Sequence, residues 1–329
     1  MKGRQENEIK LEKKIQKMLD GCPDIVKRYS MSFTNKTEMT KNAYLRYVID
    51  FVDYIFDTLK LTDDWNNIKP SDINCYMEYI RYRIVRGEKI ENKASIRATK
   101  LFAISNFFEF LLSEELVEKN PCKRVSVPKD NEEKEIVYMT PDDINIVKEN
   151  ILNGVGSSKA KAYQRTYRNR DVAILLLGCR TGLRVSSIVE INLEDIDFDK
   201  KQIIVTEKGN KTRNISIGKN TINVLNEWIF DRAKILNGIK ENALFISNRK
   251  TRITVRAVQR LIDKYTFNLN KHITPHKMRS SCACNLLDAT DNIYLVQDVL
   301  GHKNIANTRR YARVSEKTKR KAADILDSI

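Results

Sequence analysis

Apolar residues along the chain fall mostly at spacings of three and four. In residues 36–59, "KTEMTKNAYLRYVIDFVDYIFDTL", Tyr44, Tyr47, Val48, Phe51, Val52 and Ile55 line one helical face. After the turn around Pro70, Ser71 is a candidate N-cap for a second helix through Ile73, Met77, Ile80 and Ile84, closed by Gly87. A third helix from about Asn92 carries Leu101, Ile104, Phe108, Leu111 and Leu112, and a short fourth piece ends at "KNPCKRVSVP". Residues 1–30 read as a charged N-terminal extension, residues 31–120 as a compact helical domain, and residues 121–137 as a linker with prolines, mixed charge and little periodicity. A second domain, 138–329, opens on "MTPDDINIVKENIL". Here Thr140 suits an N-cap, Pro141 the first helical position, and Asp142 and Asp143 the positive helix end. Within it one β-type stretch stands out, "KQIIVTEKGNKTRNISIG", in which two short β-rich runs flank the turn "EKGNK", so a hairpin is expected. The fold class is mainly α with a small antiparallel β-sheet.

Composition narrows the function. The chain has 329 residues, of which 41% are hydrophobic, and carries a net charge of +16 spread along its length. A folded, distributed positive excess points to a polyanionic partner, most simply nucleic acid. The six cysteines show no metal-ligand or disulfide spacing, which suits free thiols in a reducing compartment. The longest apolar run, "VAILLL", is too short to span a bilayer, and the N-terminus lacks an apolar signal region. A cytoplasmic, nucleoid-associated protein of bacterial origin is the expectation, with no membrane partner. Phosphate-binding glycine loops and carboxylate clusters are absent from the sequence, so neither a cofactor nor a metal is expected.

All three histidines, His272, His276 and His302, lie in the C-terminal part. Four short segments of the second domain carry the candidate chemistry: "GCRTGLRVSS" with Arg184; the hairpin tip with Lys208, Lys211 and Arg213; "TPHKMRSS" with His276 and Arg279; and "LGHKNIANTRRY" with His302 and Tyr311. Singly each has an ordinary explanation as a surface cation, a helix start or a core tyrosine.

In order and spacing together, these segments resemble the boxes of the tyrosine recombinase, or phage integrase, family. "TGLRVSS" is similar to the first arginine box, Lys208 to the hairpin lysine, "HKMR" to the HxxR box, and "LGHKNIANTRRY" to the LGH box with its nucleophilic tyrosine. The resemblance covers residues 138 to about 315, and more weakly the helical domain, which is similar to the family's SAM-like core-binding domain. It implies an α+β catalytic domain and a site-specific recombinase that cuts and rejoins DNA through a 3′-phosphotyrosyl intermediate and a Holliday junction, without metal or ATP. The implied site is Arg184 and Arg279 on the non-bridging phosphate oxygens, His276 as base, His302 as a further donor, Lys208 as acid and Tyr311 as nucleophile. Lys211 and Arg213 would bind DNA, and His272 has no implied role. Two positions depart from the family: Ser187 stands where a carboxylate is frequent, and Ser280 where a histidine is frequent. The implied partners are double-stranded recombination sites and a homotetramer that exchanges a C-terminal helix with Ala322, Ile325, Leu326 and Ile329 on one face. Accessory DNA-bending or excisionase proteins are also among them, and a mobile element is the implied setting. A type IB-like topoisomerase and a catalytically silent DNA-binding protein are the alternatives.

Overall fold

The structure, a computed structural model, describes residues 2–34, 36–58, 60, 64–85, 87–128, 135–206, 212–312, 324, 326 and 327. It is mostly helical with small antiparallel sheets and divides into two compact units, one within residues 1–133 and the other within 134–329.

The first unit contains α1 (Lys2–Leu19), α2 (Asp24–Met31), α3 (Glu38–Asp53), α4 (Pro70–Tyr79), the strands β1 (Tyr82–Val85) and β2 (Glu88–Glu91), and α5 (Ala94–Ser113). The Thr37 hydroxyl accepts from Thr40 N–H at the start of α3, and α3 ends in a single π turn, Tyr54–Thr58. Val48, Phe51 and Ile55 meet Ile73, Tyr76, Ile104, Phe107 and Phe108 in a core in which every one of these side chains is buried. The expected N-terminal extension does not stand apart: Ile15 and Leu19 of α1 are buried in the same core. Nor is the start of the expected linker free, because Cys122 and Val125 pack there too, around a 3-10 turn whose N-cap is Asn120.

The expected second helix is shorter than its apolar pattern suggests. Pro70 occupies its first turn and Asp72 accepts from Lys69 N–H (2.8 Å), so the start falls before Ser71. The helix stops at Tyr79, and β1 and β2 pair as an antiparallel hairpin, with Gly87 (φ +85°) just before β2. Ile80 and Ile84 imitate a helical stripe, but residues 81–84 also alternate cation with aromatic or β-branched side chain, and that favours strand. Asn92 closes the hairpin by donating its N–H to Arg81 O (2.7 Å) and its side-chain amide to Ile80 O (2.8 Å).

The second unit is built around α8 (Arg168–Thr181), which follows α6 (Pro141–Asn153) and α7 (Ser158–Arg165). Val172–Leu177 are all buried, so the apolar run noted in the sequence is a central helix wrapped on all sides. Among the described residues no helix is long and apolar enough to cross a membrane. At the entry to α6, Thr140 and Asp143 form the expected reciprocal cap (Thr140 N–H to Asp143 Oδ2, 2.7 Å; Asp143 N–H to Thr140 Oγ1, 3.2 Å). Then come α9 (Val185–Glu190), β3 (Ile196–Asp197), β4 (Gln202–Thr206), β5 (Thr212–Ser216), α10 (Lys219–Leu236), α11 (Val255–Tyr265), α12 (Pro275–Thr290), α13 (Ile293–Leu300) and α14 (Ala306–Ala312). The hairpin β4–β5 matches the expectation, with Ile203 opposite Ile215, and β3 adds a third antiparallel strand. α8 packs against α6, α10 and α12. At its N-terminal end Asp171, 2% exposed, pairs with Arg170 (2.7 Å) and accepts from Tyr265 Oη (3.2 Å), and burial raises its carboxyl pKa.

Candidate active site

Two helices end on left-handed glycines that no other L-residue would adopt without strain. Gly182 follows α8 at φ +63°, and Gly301 follows α13 at φ +65°. Both also make close approaches. A methyl group on Gly182 would lie 2.5 Å from Leu300 Cδ2 and 3.3 Å from Cys282 Sγ, and one on Gly301 would lie 1.8 Å from Arg213 Nη1. The tight fit brings the carboxyl ends of α8 and α13 together around α12.

Arg279, one turn into α12, receives them. The residue is 3% exposed, and its guanidinium donates to Gly182 O (2.5 Å) and Leu300 O (2.7 Å). Helix carboxyl ends carry partial negative charge, so two of them suit a buried cation. Arg184, on the surface, is the N-cap residue of α9, immediately after the Gly182 turn. The loop after α13 carries His302. Its backbone is pinned by Gln297, which accepts its N–H (3.0 Å) and donates from Nε2 to its carbonyl (2.9 Å). Its Nδ1 lies 2.8 Å from the hydroxyl of the buried Thr308. The ring is nearly parallel to that of Tyr311, with centroids 6.5 Å apart. Tyr311 is itself 3% exposed, packed in a small cluster with Ala283, Cys284, Val296 and Leu300. Arg310 lies over the Tyr311 ring, 5.1 Å from its centre.

The electrostatics follow from this crowding of cations. Burial, reinforced by Arg279, Arg184, Arg310 and Arg213, pushes His302 down to about 4. His276 reaches the surface at the start of α12; partial burial, then Arg310, Arg279, Lys277 and Arg184, lower it from the usual imidazole range. Both rings are therefore neutral at pH 7 in the free protein. Strong cations surround two neutral imidazoles and a phenol, a setting made for an anion such as a phosphodiester. Among the described residues no group of three or more His, Cys, Asp or Glu is placed to hold a metal ion.

The structure thus gathers Arg184, His276, Arg279, His302 and Tyr311 on one side of the second unit. Lys208 and Lys211 lie outside the described residues. Arg213, expected to face DNA from the hairpin, instead turns inward and donates from Nη2 to Val299 O (2.8 Å). The two departures from the family lie close by. Ser280 is fully buried, with its hydroxyl 3.5 Å from His276 O, and Ser187 is half-buried on α9. Sequence reading passed over Thr308 and Arg310. A usable signal existed for Arg310, which abuts Tyr311, whereas only the turn after α13 reveals Thr308 as the partner of His302.

A model of the phage integrase family matches residues 149–318. The tyrosine recombinase XerC of Alcanivorax borkumensis is 28% identical over 277 residues, covering 84% of this chain and 83% of the relative. XerC of Vibrio vulnificus is 32% identical over 241 residues, covering 72% and 71%. Among solved structures, a post-cleavage complex of the XerH site-specific recombinase with palindromic difH substrate superposes with a TM-score of 0.67 at 18% identity, over 92% of this chain and 84% of that one. The Tn1549 transposon integrase in complex with transposon right end DNA gives 0.67 at 20% identity, over 92% and 98%. The chain belongs to the phage integrase family. It is a site-specific tyrosine recombinase, an enzyme that cleaves and rejoins DNA.

Proposed function

We propose that Tyr311 Oη attacks a phosphorus of a double-stranded recombination site, forming a 3′-phosphotyrosyl ester and releasing a 5′-hydroxyl. Attack on the ester by the 5′-hydroxyl released in the same way from the second site joins the two strands and frees the tyrosine; one such pair of exchanges forms a Holliday junction, and a second pair resolves it. Arg184 and Arg279 bind the non-bridging oxygens, where forked guanidiniums stabilise the added charge of the transition state; donors of this kind contribute about 3 kcal/mol each. Neutral His276 takes the phenolic proton. A neutral His302 that accepts from Thr308 at Nδ1 carries its own proton on Nε2 and donates it to phosphate. Lys208 protonates the departing 5′ oxygen. Because the arginines supply the positive charge, cleavage is expected to survive excess EDTA. The observation that carries this reading is the convergence of Arg279, His302 and Tyr311, with the cations that depress both histidines. Since Tyr311 is buried, DNA must draw its side chain outward before attack.

The first unit, within 1–133, is assigned as a SAM-like core-binding domain wider than the 31–120 expected, and the second, within 134–329, as the catalytic domain; four copies of the chain synapse two sites. The terminal helix, outside the described residues except Asp324, Leu326 and Asp327, is assigned to a neighbouring protomer. We assign the enzyme to a mobile element, because Ser187 and Ser280 drift from the Xer pattern; flanking repeats or an excisionase-like gene beside it would support this.

The acid assignment has a direct test. Lys208→Ala should slow cleavage by roughly 10²–10⁴. A substrate with sulfur in place of the bridging 5′ oxygen has a leaving group that departs unprotonated, so it should restore the mutant nearly to wild-type speed. Arg184→Ala should gain no such relief. Equal slowness of Lys208→Ala on both substrates would remove the lysine from the proton path, and Tyr311→Phe must form no covalent adduct at all.

A further inference from the structure

We propose that Arg213 is a positioning residue for strand cleavage: its guanidinium is a strut between the root of the β4–β5 hairpin and the turn that carries His302. The inference rests on the roles just given to Lys208 and His302.

Three observations converge. Arg213 Nη2 donates to Val299 O (2.8 Å), so the side chain crosses from β5 to the last turn of α13. Nη1 then fills the notch left by the missing side chain of Gly301; a methyl there would sit 1.8 Å from Nη1 and 2.9 Å from Cζ. Finally, Nη1 and Nε are both buried and have no hydrogen-bond partner among the described residues. Buried donors without partners are costly, and their presence in a native structure calls for a reason. A guanidinium placed to satisfy itself would not sit here. Its position is set instead by Val299 and by the glycine, one on each side of Leu300, whose carbonyl holds Arg279. His302 follows Gly301 directly. Lys208 stands on the segment joining β4 to β5, the strand from which Arg213 reaches. One side chain therefore ties the phosphate-side histidine to the base of the element that delivers the acid.

This differs from the sequence expectation that Arg213 grips DNA, and binding and cleavage separate the two. Cleavage of a nicked suicide duplex is measured at saturating protein, beside affinity for the intact site at several salt concentrations. Arg213→Ala should slow cleavage by about 10²-fold, the scale of an ångström-level misplacement, with affinity within about threefold of wild type and an unchanged salt slope. Added guanidinium ion, against an equal concentration of sodium chloride, should restore part of the rate by refilling the notch. Gly301→Ala should also slow cleavage, and the double variant should be less impaired than the two singles multiplied, because both disturb one contact. Should Arg213→Ala fail to fold, Arg213→Gln with Gly301→Ala closes the same cycle.

Loss of affinity with a salt slope reduced by about one would mean that Arg213 neutralises a phosphate, and would overturn the proposal. Wild-type cleavage by Arg213→Ala, or strict multiplicativity with Gly301→Ala, would overturn it too. Failure of sulfur to rescue Lys208→Ala would instead strike the acid assignment, since the Arg213–Gly301 cycle involves neither reacting group.

Discussion

Gly182 makes two demands on its position, and alanine there fails both. The backbone sits at φ +63°, and an added Cβ would meet Leu300 Cδ2 at 2.5 Å and Cys282 Sγ at 3.3 Å. The left-handed backbone costs a residue with a Cβ about 1–2 kcal/mol. Forcing a methyl into a packed interior costs about 1–3 kcal/mol more, so Gly182→Ala should lose roughly 2–5 kcal/mol. For a unit of this size that lowers the melting midpoint by roughly 4–20 °C. Gly238→Ala is the control, because it has φ +84° in the same unit with nothing within 4 Å of its Cβ. It should show the backbone cost alone, about 1–2 kcal/mol. Scanning calorimetry of both variants isolates the packing cost, and Leu300→Ala in the Gly182→Ala background should return part of it. Cleavage should fall as well, because Gly182 O and Leu300 O hold Arg279. If Gly182→Ala melts with Gly238→Ala and cleaves like wild type, the close approach of α8 and α13 does not hold the site together.

Asp171→Ala should destabilise the second unit by about 3–5 kcal/mol, because it strands a largely buried Arg170; denaturant titration checks it, and a loss under 1 kcal/mol would discount the pair. In the free protein both His276 and His302 should titrate below the ordinary 6.5, with His302 at about 4 by imidazole NMR. The unfolded chain takes up that proton first, so the stability His302 contributes is complete above about pH 6.5 and is lost as pH falls towards 4. His302→Gln should flatten that slope, and a His302 titrating at 6.5 or above would refute the cation crowding. Deleting residues 315–329 should leave single-site cleavage partly intact and weaken four-protomer synapsis, read by native gel; unimpaired assembly would place the tail on its own chain.

Local chemistry was legible where one residue type had one use. Thr140, Pro141 and Asp143 announced the start of α6, and the β-rich runs on either side of residues 207–211 announced β4 and β5. The site boxes were legible because their order is so specific. Residues 80–91 misled, since Ile80 and Ile84 satisfy a helical spacing and a strand alternation at once, and only the closure by Asn92 decides between them. The contact made by Arg213 was not legible for another reason: a cation in a basic hairpin reads as a DNA contact, and no local pattern shows that the chain folds back to set Val299 and Gly301 beneath it. α1 joined the first core through Ile15 and Leu19, two apolar positions diluted by lysines.

Arg279 draws its ligands from the far ends of two helices that lie more than a hundred residues apart in the chain. Neither carbonyl is in place until its helix has docked, so the guanidinium cannot be aimed before the whole unit has closed. On the role proposed for Arg279, a half-made or partly unravelled copy therefore has no assembled means of breaking a DNA strand. For an enzyme that breaks DNA strands, the architecture then works as an interlock: the capacity to cut arrives only with the completed fold.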